Sequence, residues 1–507
     1  MEKGRRSAGH GMVYSAMLLT GAHLFLRVIG MGFQVYLSGR IGPAGMGLMQ
    51  LVLSVTALLM TAAMAGIRTG TMYLSAEAIG KGRSGEIPRI LRACFCYSGA
   101  FALAVSLASV RFAGTLAERW IGQGSAALAL RIFGVLLPAV CLNGVMTGYF
   151  TAAGRIKALT VVEILEQLLG MILTLALLSR AGRNPGRACA AVVAGSSLSV
   201  VFTLGCLLVL RRREPRLPAE RPAPVTRKLL RTALPLAAAD DLRMGLSALE
   251  NLLIPRRLGL YPGEAEPLAR YGTVCGMVFP VMMFPAALLF GLTELLIPEL
   301  ARCLAGERRG RIRYLTRRGL RVGLLYGLGC GGALLLGAEE LGLLLYGSAE
   351  AGRALRLFAP LVPMLYLDIL TDAMTKGLGQ QVACVRYNIF TSGLDVALLW
   401  LLLPRLGIRG YYGSFVLTHG INFALSIQRL LRVSGLELRL PVCLGALAAA
   451  LGAVGLCRLL PWSGLGRAAA YTGLWVLLCR GLGLTRGGEL SWLRGTAFGN
   501  VEKKWRR

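Results

Sequence analysis

Residues 26–52 read LRVIGMGFQVYLSGRIGPAGMGLMQLV. One arginine, Arg27, interrupts an apolar run, Gln34 follows seven residues later, and the run closes on Arg40, Ile41, Gly42 and Pro43. Traced back to residue 12, the apolar stretch is long enough to cross a bilayer, which takes about 20 residues of helix. Seven residues are two helical turns, so Arg27 and Gln34 share a face. The pattern recurs as Arg243, MGLSAL and Glu250, followed by Arg256, Arg257, Leu258 and Gly259. A second anchor repeats after the next span: AEAI at 76–79 with GEI at 85–87, against ARCL at 301–304 with GRI at 310–312. The offset grows between the two anchors, which places an insertion near 261–269. The two halves are a parallel repeat, related by an axis along the membrane normal.

Composition extends this reading to the whole chain. Of 507 residues 55% are apolar and 16% charged, with a mean hydropathy of +0.61. A soluble domain is nearer a quarter charged. The formal charge is +31, yet the cations lie in short segments between apolar runs, which excludes a nucleic-acid binder with basic solvated faces. Fourteen spans are expected: six within 12–210, six within 229–431, and two near 440–460 and 467–484. With the N-terminus inside, the inner segments carry 37 Lys+Arg and the outer ones 16. That bias predicts both termini in the cytoplasm. The expected fold is an all-α polytopic membrane protein of about 14 transmembrane helices. It comprises an N-lobe at 1–210, a basic Pro-rich cytoplasmic linker at 211–228, a C-lobe at 229–432, and two further helices with a basic tail at 433–507.

Charges inside the membrane are the informative residues, because each costs about 2.5–3.5 kcal/mol at the bilayer centre even on the gentlest scale. At 1.5 Å per residue, Arg27 and Arg243 lie roughly 20 Å along their helices. As pseudo-equivalent residues on the first helix of each lobe they would face a cleft between the lobes and attract an anion. Arginine offers a planar donor fork suited to phosphate. Gln34, Glu250 and Arg68, the last near the end of its span, complete the candidate substrate-binding set. Coupling to a proton or monovalent cation would fall to Asp240, Asp241, Glu163, Glu166, Asp368 or Asp372. Asp240 and Asp241 are also candidate ion-pair partners of Arg243. Asp395 and His419 read as single polar groups satisfying helix contacts. The basic segments at 211–231 and 308–318 suit anionic lipid headgroups on the cytoplasmic side.

Soluble-enzyme signatures are missing. There is no HExxH, no phosphate-binding glycine loop and no Cys/His spacing for zinc, and the twelve cysteines read as small hydrophobes. The GLGCGG run at 327–332 sits inside a span, where close helix packing through Gly327 and Gly331 explains it. No metal, cofactor or catalytic residue is expected. A membrane-embedded glycan-processing enzyme would also need a large extramembrane loop, which the span map does not leave.

The stretch at 26–52 with AGIRTGTMYLSAEAIGKG (65–82) resembles the N-terminal pattern of stage V sporulation protein B-like membrane proteins. IPRRLGL (254–260), YGTVCGMVFPV (271–281) and LIPELARCLAGERRGRIR (296–313) are similar to the matching second half. The resemblance covers roughly 12–435 and implies the oligosaccharide-flippase branches of the multidrug/oligosaccharidyl-lipid/polysaccharide exporter superfamily. It implies two six-helix lobes around a V-shaped cavity, with extra C-terminal helices. It also implies outward transfer, by alternating access in a bacterial cytoplasmic membrane, of a polyprenyl-diphosphate-linked oligosaccharide or peptidoglycan precursor, with a link to spore cortex synthesis. Arg27 matches the first-helix arginine of that pattern. The alternative is a cation-coupled multidrug exporter on the same fold, which would favour an acid-lined pocket.

Overall fold

Gly42 and Pro43 break the first helix for a chemical reason. Proline lacks an N–H and crowds the residue before it, so a helix cannot run through unbent. The computed structural model describes residues 2–64, 66–182, 184–213, 225–437 and 440–481. Within α1 (Glu2–Met64), Gly42 adopts φ 69° and ψ 179°, a conformation open to glycine. The loop expected between spans one and two is therefore a single kinked residue. A left-handed Gly66 then separates α1 from α2 (Ile67–Gly80). Arg68 lies in the first turn of this new helix, whereas the apolar run alone puts it at the end of span two.

All described regular structure is helical. There follow α3 (Ile87–Thr115), α4 (Ala127–Ala152), α5 (Ile156–Ala181), α6 (Pro185–Arg212) and α7 (Val225–Leu258). The short α8 (Pro267–Tyr271) and α9 (Phe279–Met283) flank a π-helical stretch, Gly272–Val278, before α10 (Ala287–Ala305). Then come α11 (Arg309–Tyr346), α12 (Ala349–Phe358), α13 (Val362–Gly377), α14 (Gln381–Leu406), α15 (Ile408–Ser434), α16 (Leu440–Arg458) and α17 (Gly464–Gly481). Nine described helices are long and apolar enough to cross a membrane, or up to ten if the bent pair Pro267–Met283 and Ala287–Ala305 is one span. The difference from fourteen has identifiable sources. Phe25–Gly80 counts once although Gly42 kinks it, and α7, α15 and α17 do not pass. In α7 the cause is its own charge: Asp240, Asp241, Arg243 and Glu250 all lie on it. Residues 214–224 of the basic linker and the tail from 482 onward are outside the described residues.

Contacts divide the chain into two units, one of Met1–Gly39, Thr273–Leu398 and Arg405–Arg507, the other of Arg40–Gly272 and Leu399–Pro404. This cuts the chain differently from the sequence halves. Span one groups with the later helices, and α7 groups with α2–α6. The exchanges occur beside the Gly42 kink and in the π-helical stretch, where regular helical hydrogen bonding is already interrupted.

Within the Arg40–Gly272 unit, small residues bring backbones together, as they do where lipid gives helices no hydrophobic reason to associate. A Cβ on Gly148 would strike the Arg68 carbonyl oxygen, and one on Gly195 would lie 2.7 Å from the Thr174 nitrogen. Ile67, Met146, Phe150 and Leu207 fill the buried core beside them.

In the other unit the GLGCGG run packs on two faces of α11. Cβ atoms on Gly327 and Gly331 would lie 2.8 and 3.1 Å from Pro363 of α13, as the helix-packing reading requires. Gly329 and Gly332 face Trp475 and Tyr471 of α17. Tyr471 donates to the Leu328 carbonyl at 2.9 Å and Trp475 to the Leu325 carbonyl at 3.0 Å. One glycine-rich turn thus seats both the neighbouring span and the last described helix.

Side chains tie helix ends together within each unit. Tyr346 donates to the Met277 carbonyl in one, and Arg256 to the Arg119 carbonyl in the other. Gln380 accepts from Arg429 Nε at 3.0 Å, joining the end of α13 to the last turns of α15.

Candidate functional site

Span eight is where regular helix fails. Bonding turns π-helical over Gly272–Val278, and the bent pair makes an angle of 61°. Pro280 and Pro285 follow this stretch and remove two backbone donors. Carbonyls left open here must be paired within the protein, since lipid offers no donor. Four side chains donate to backbone oxygens along it. Gln34 Nε2 donates to Gly276 O at 3.0 Å and Tyr346 to Met277 O at 3.0 Å. Tyr366 donates to Met282 O at 2.7 Å and Tyr326 to Pro285 O at 2.8 Å. All of these belong to one unit. Discontinuous spans of this kind are a recurrent pointer to transporter binding sites.

Arg27 stands beside this broken span. It is exposed, its guanidinium lies 5.1 Å from the centroid of the Phe290 ring on α10, and it forms no ion pair among the described residues. A cation–π contact holds the group without consuming its N–H donors. The sequence offers Gln34 as a substrate ligand, but one of its donors already serves Gly276. Gln34→Leu should therefore leave that carbonyl unpaired, at about 1–3 kcal/mol. Faster amide exchange across 272–286 than in the parent protein is the expected reading.

The same unit holds Asp368 and Asp372 of α13. Asp372 is neutralised by Lys376 at 2.5 Å. Asp368 instead accepts from Asn422 at 3.3 Å through one oxygen. Its other oxygen, the Asn422 carbonyl oxygen and the Thr371 hydroxyl are buried without hydrogen-bond partners. Asp395 accepts from Ser414 at 2.5 Å and Thr418 at 3.2 Å, and His419 bonds to Phe415 O and stacks on that ring, so both satisfy helix contacts as expected.

The remaining candidates lie in the Arg40–Gly272 unit. Asp240 and Arg243 are exposed on α7, and Arg243 forms no ion pair among the described residues, so the Asp240 and Asp241 partnership is not made. Asp241 keeps one carboxylate oxygen buried without a hydrogen bond. Glu250 is half-buried, as are Glu163 and Glu166 on one face of α5, and Arg68 is exposed. The structure thus brings Arg27, Gln34, Asp368 and Asp372 into one unit and Arg68, Arg243, Glu250, Asp240, Asp241, Glu163 and Glu166 into the other. The tyrosines of the broken span and Asn422 were not singled out by sequence. Two prolines five residues apart in an apolar run were the available signal.

Comparison with known proteins follows this geometry. Residues 13–248 match the family described as "Polysaccharide biosynthesis protein". The chain is 22% identical over 407 residues to stage V sporulation protein B of Bacillus subtilis (strain 168), covering 78% of each chain. Its fold matches that of the lipid II flippase MurJ in an inward closed conformation, with a TM-score of 0.66, 10% identity, and 92% of this chain and 99% of that one covered. It also matches an inward-facing multidrug resistance MATE family transporter of the MOP superfamily, with a TM-score of 0.62, 16% identity, and 83% and 98% covered. The chain is therefore a multi-pass membrane protein that shares the fold of these transporters and is similar in sequence to stage V sporulation protein B.

Proposed function

We propose that the chain is a flippase carrying a polyprenyl-diphosphate-linked oligosaccharide or peptidoglycan precursor across the bacterial cytoplasmic membrane by alternating access. The observation that carries this reading is Arg27, a guanidinium held over an aromatic ring with no ion pair among the described residues, beside a broken span. A diphosphate needs such a donor fork. Arg243 is a separate candidate of the same chemistry, exposed and without an ion pair among the described residues. The polyprenyl tail stays in lipid, and no bond is made or broken, so the protein acts as a transporter and not as an enzyme. The likeness to a sporulation protein and to polysaccharide-biosynthesis proteins supports a glycan-bearing lipid over a drug.

Coupling falls to the acids with open oxygens. Asp368, with the unpartnered Asn422 and Thr371 oxygens, offers a set of hard donors for a proton or monovalent cation, and Asp241 is a second candidate. Asp372 is already matched by Lys376. The uneven distribution of Lys+Arg between alternate segments supports both termini lying in the cytoplasm.

Depleting the protein from its host should lower the lipid-linked precursor that a membrane-impermeant reagent can label on the outer leaflet, while the precursor accumulates inside. The fold is also that of multidrug transporters. Unchanged outer-leaflet labelling with new drug sensitivity would replace the flippase reading by a cation-coupled exporter.

A further inference from the structure

The last turns of α11, the helix α12 and the turn between α16 and α17 enclose a pocket of about 420 Å³. Its charged lining comprises Glu339, Glu340, Arg356, Arg458 and Arg467, with Trp462 at its wall. Both acids are already engaged. Glu339 accepts from Arg356 at 2.6 Å. Glu340 accepts from the backbone N–H groups of Gly464 and of Leu465, the latter at 2.9 Å, and so fixes the start of α17. Arg467 donates through Nε to the Leu460 carbonyl at 3.0 Å, which closes the turn. Arg458 has no hydrogen bond or ion pair among the described residues. What the pocket offers beyond its internal pairs is guanidinium.

We infer that this pocket binds the phosphate of a membrane-lipid headgroup. Arginine presents paired donors matched to phosphate oxygens, and two such side chains, Arg458 and Arg467, flank one turn. The surroundings select a lipid over a free anion. The turn joins two apolar helices, and it exposes Leu459 and Trp462, at 81% and 54%. Tryptophan is the residue type that rests at headgroup level, with apolar neighbours toward the acyl chains. A site for a soluble anion needs neither. Glu340 supports the site by locking the start of α17, which carries Arg467, onto α11. On the orientation proposed above the pocket faces the outer leaflet, the side poor in cations. Three of the few arginines there converge on it. It is separate from the basic cytoplasmic segments and from Arg27.

The test uses the purified full-length protein and native mass spectrometry with defined lipids. Phosphatidylglycerol should be retained saturably, and diacylglycerol with the same chains should not. Arg458→Gln and Arg467→Gln should each weaken retention about tenfold, the scale of one charge-assisted contact. Arg131→Gln, in the other unit, should leave it unchanged. Equal retention by the parent and both pocket variants would overturn the inference. So would displacement of the bound lipid by millimolar inorganic phosphate, which would mark a free-anion site. Should Arg467→Gln disturb the turn it closes, Arg458→Gln decides alone, since that exposed side chain has no partner to lose. Transport failing or persisting in depleted cells is a separate reading and does not bear on this one.

Discussion

Arg27→Ala should lower outer-leaflet exposure of the lipid-linked precursor by roughly 30- to 100-fold, the effect of losing about 2–3 kcal/mol of charge-assisted binding. The side chain is placed for this and for little else. It lies 5.1 Å from the Phe290 ring centroid, a contact worth about 0.5–1 kcal/mol at an exposed site, and makes no ion pair among the described residues. Removing it should barely change stability, and membrane levels of the variant should match the parent. Arg243→Ala should give a comparable loss, because no ion pair with Asp240 or Asp241 holds that side chain in a structural role. Arg27→Lys keeps the charge but loses the planar fork, and should retain more activity than alanine while remaining about tenfold below the parent. Labelling of intact cells with a membrane-impermeant reagent, normalised to protein level, measures all three. Parental labelling in both alanine variants would remove the diphosphate site and leave the fold untouched.

Gly272→Val should prevent the protein from assembling at all. A Cβ at Gly272 would land on the Pro43 carbonyl oxygen and the Gly47 nitrogen, while one on Gly47 would meet the Leu268 carbonyl. These are backbone atoms, and no rotamer change can move them aside. The expected penalty exceeds about 4 kcal/mol, in the range reached only when a packed structure has no room to relax. Size-exclusion profiles of the solubilised variant should show aggregate in place of a monodisperse peak. Gly39→Ala is the matched control, because nothing lies within 4 Å of its added Cβ. It should behave as the parent or slightly better, given the helix preference of alanine.

The limits of the sequence reading follow from the range of each interaction. Spans were legible because apolarity and helix length are local properties, and the GLGCGG run was legible as packing because small residues in a span have few other uses. The break in span eight was not. Hydropathy over 272–298 is continuous, and the groups that pair its carbonyls come from Gln34, Tyr326, Tyr346 and Tyr366, far apart in the chain. Nor could spacing separate Asp368 from Asp372. They are one turn apart on α13, yet Lys376 on the same helix neutralises one while Asn422 of α15 reaches the other.

By itself the sequence determined that the chain is helical and crosses a membrane many times. Those properties follow from composition and periodicity, which act residue by residue. Only the tertiary structure decided which helices share a unit, where the eighth span opens, and which charged groups are already paired. Those outcomes depend on side chains tens to hundreds of residues away in sequence reaching one short stretch of backbone, and nothing local encodes such a meeting.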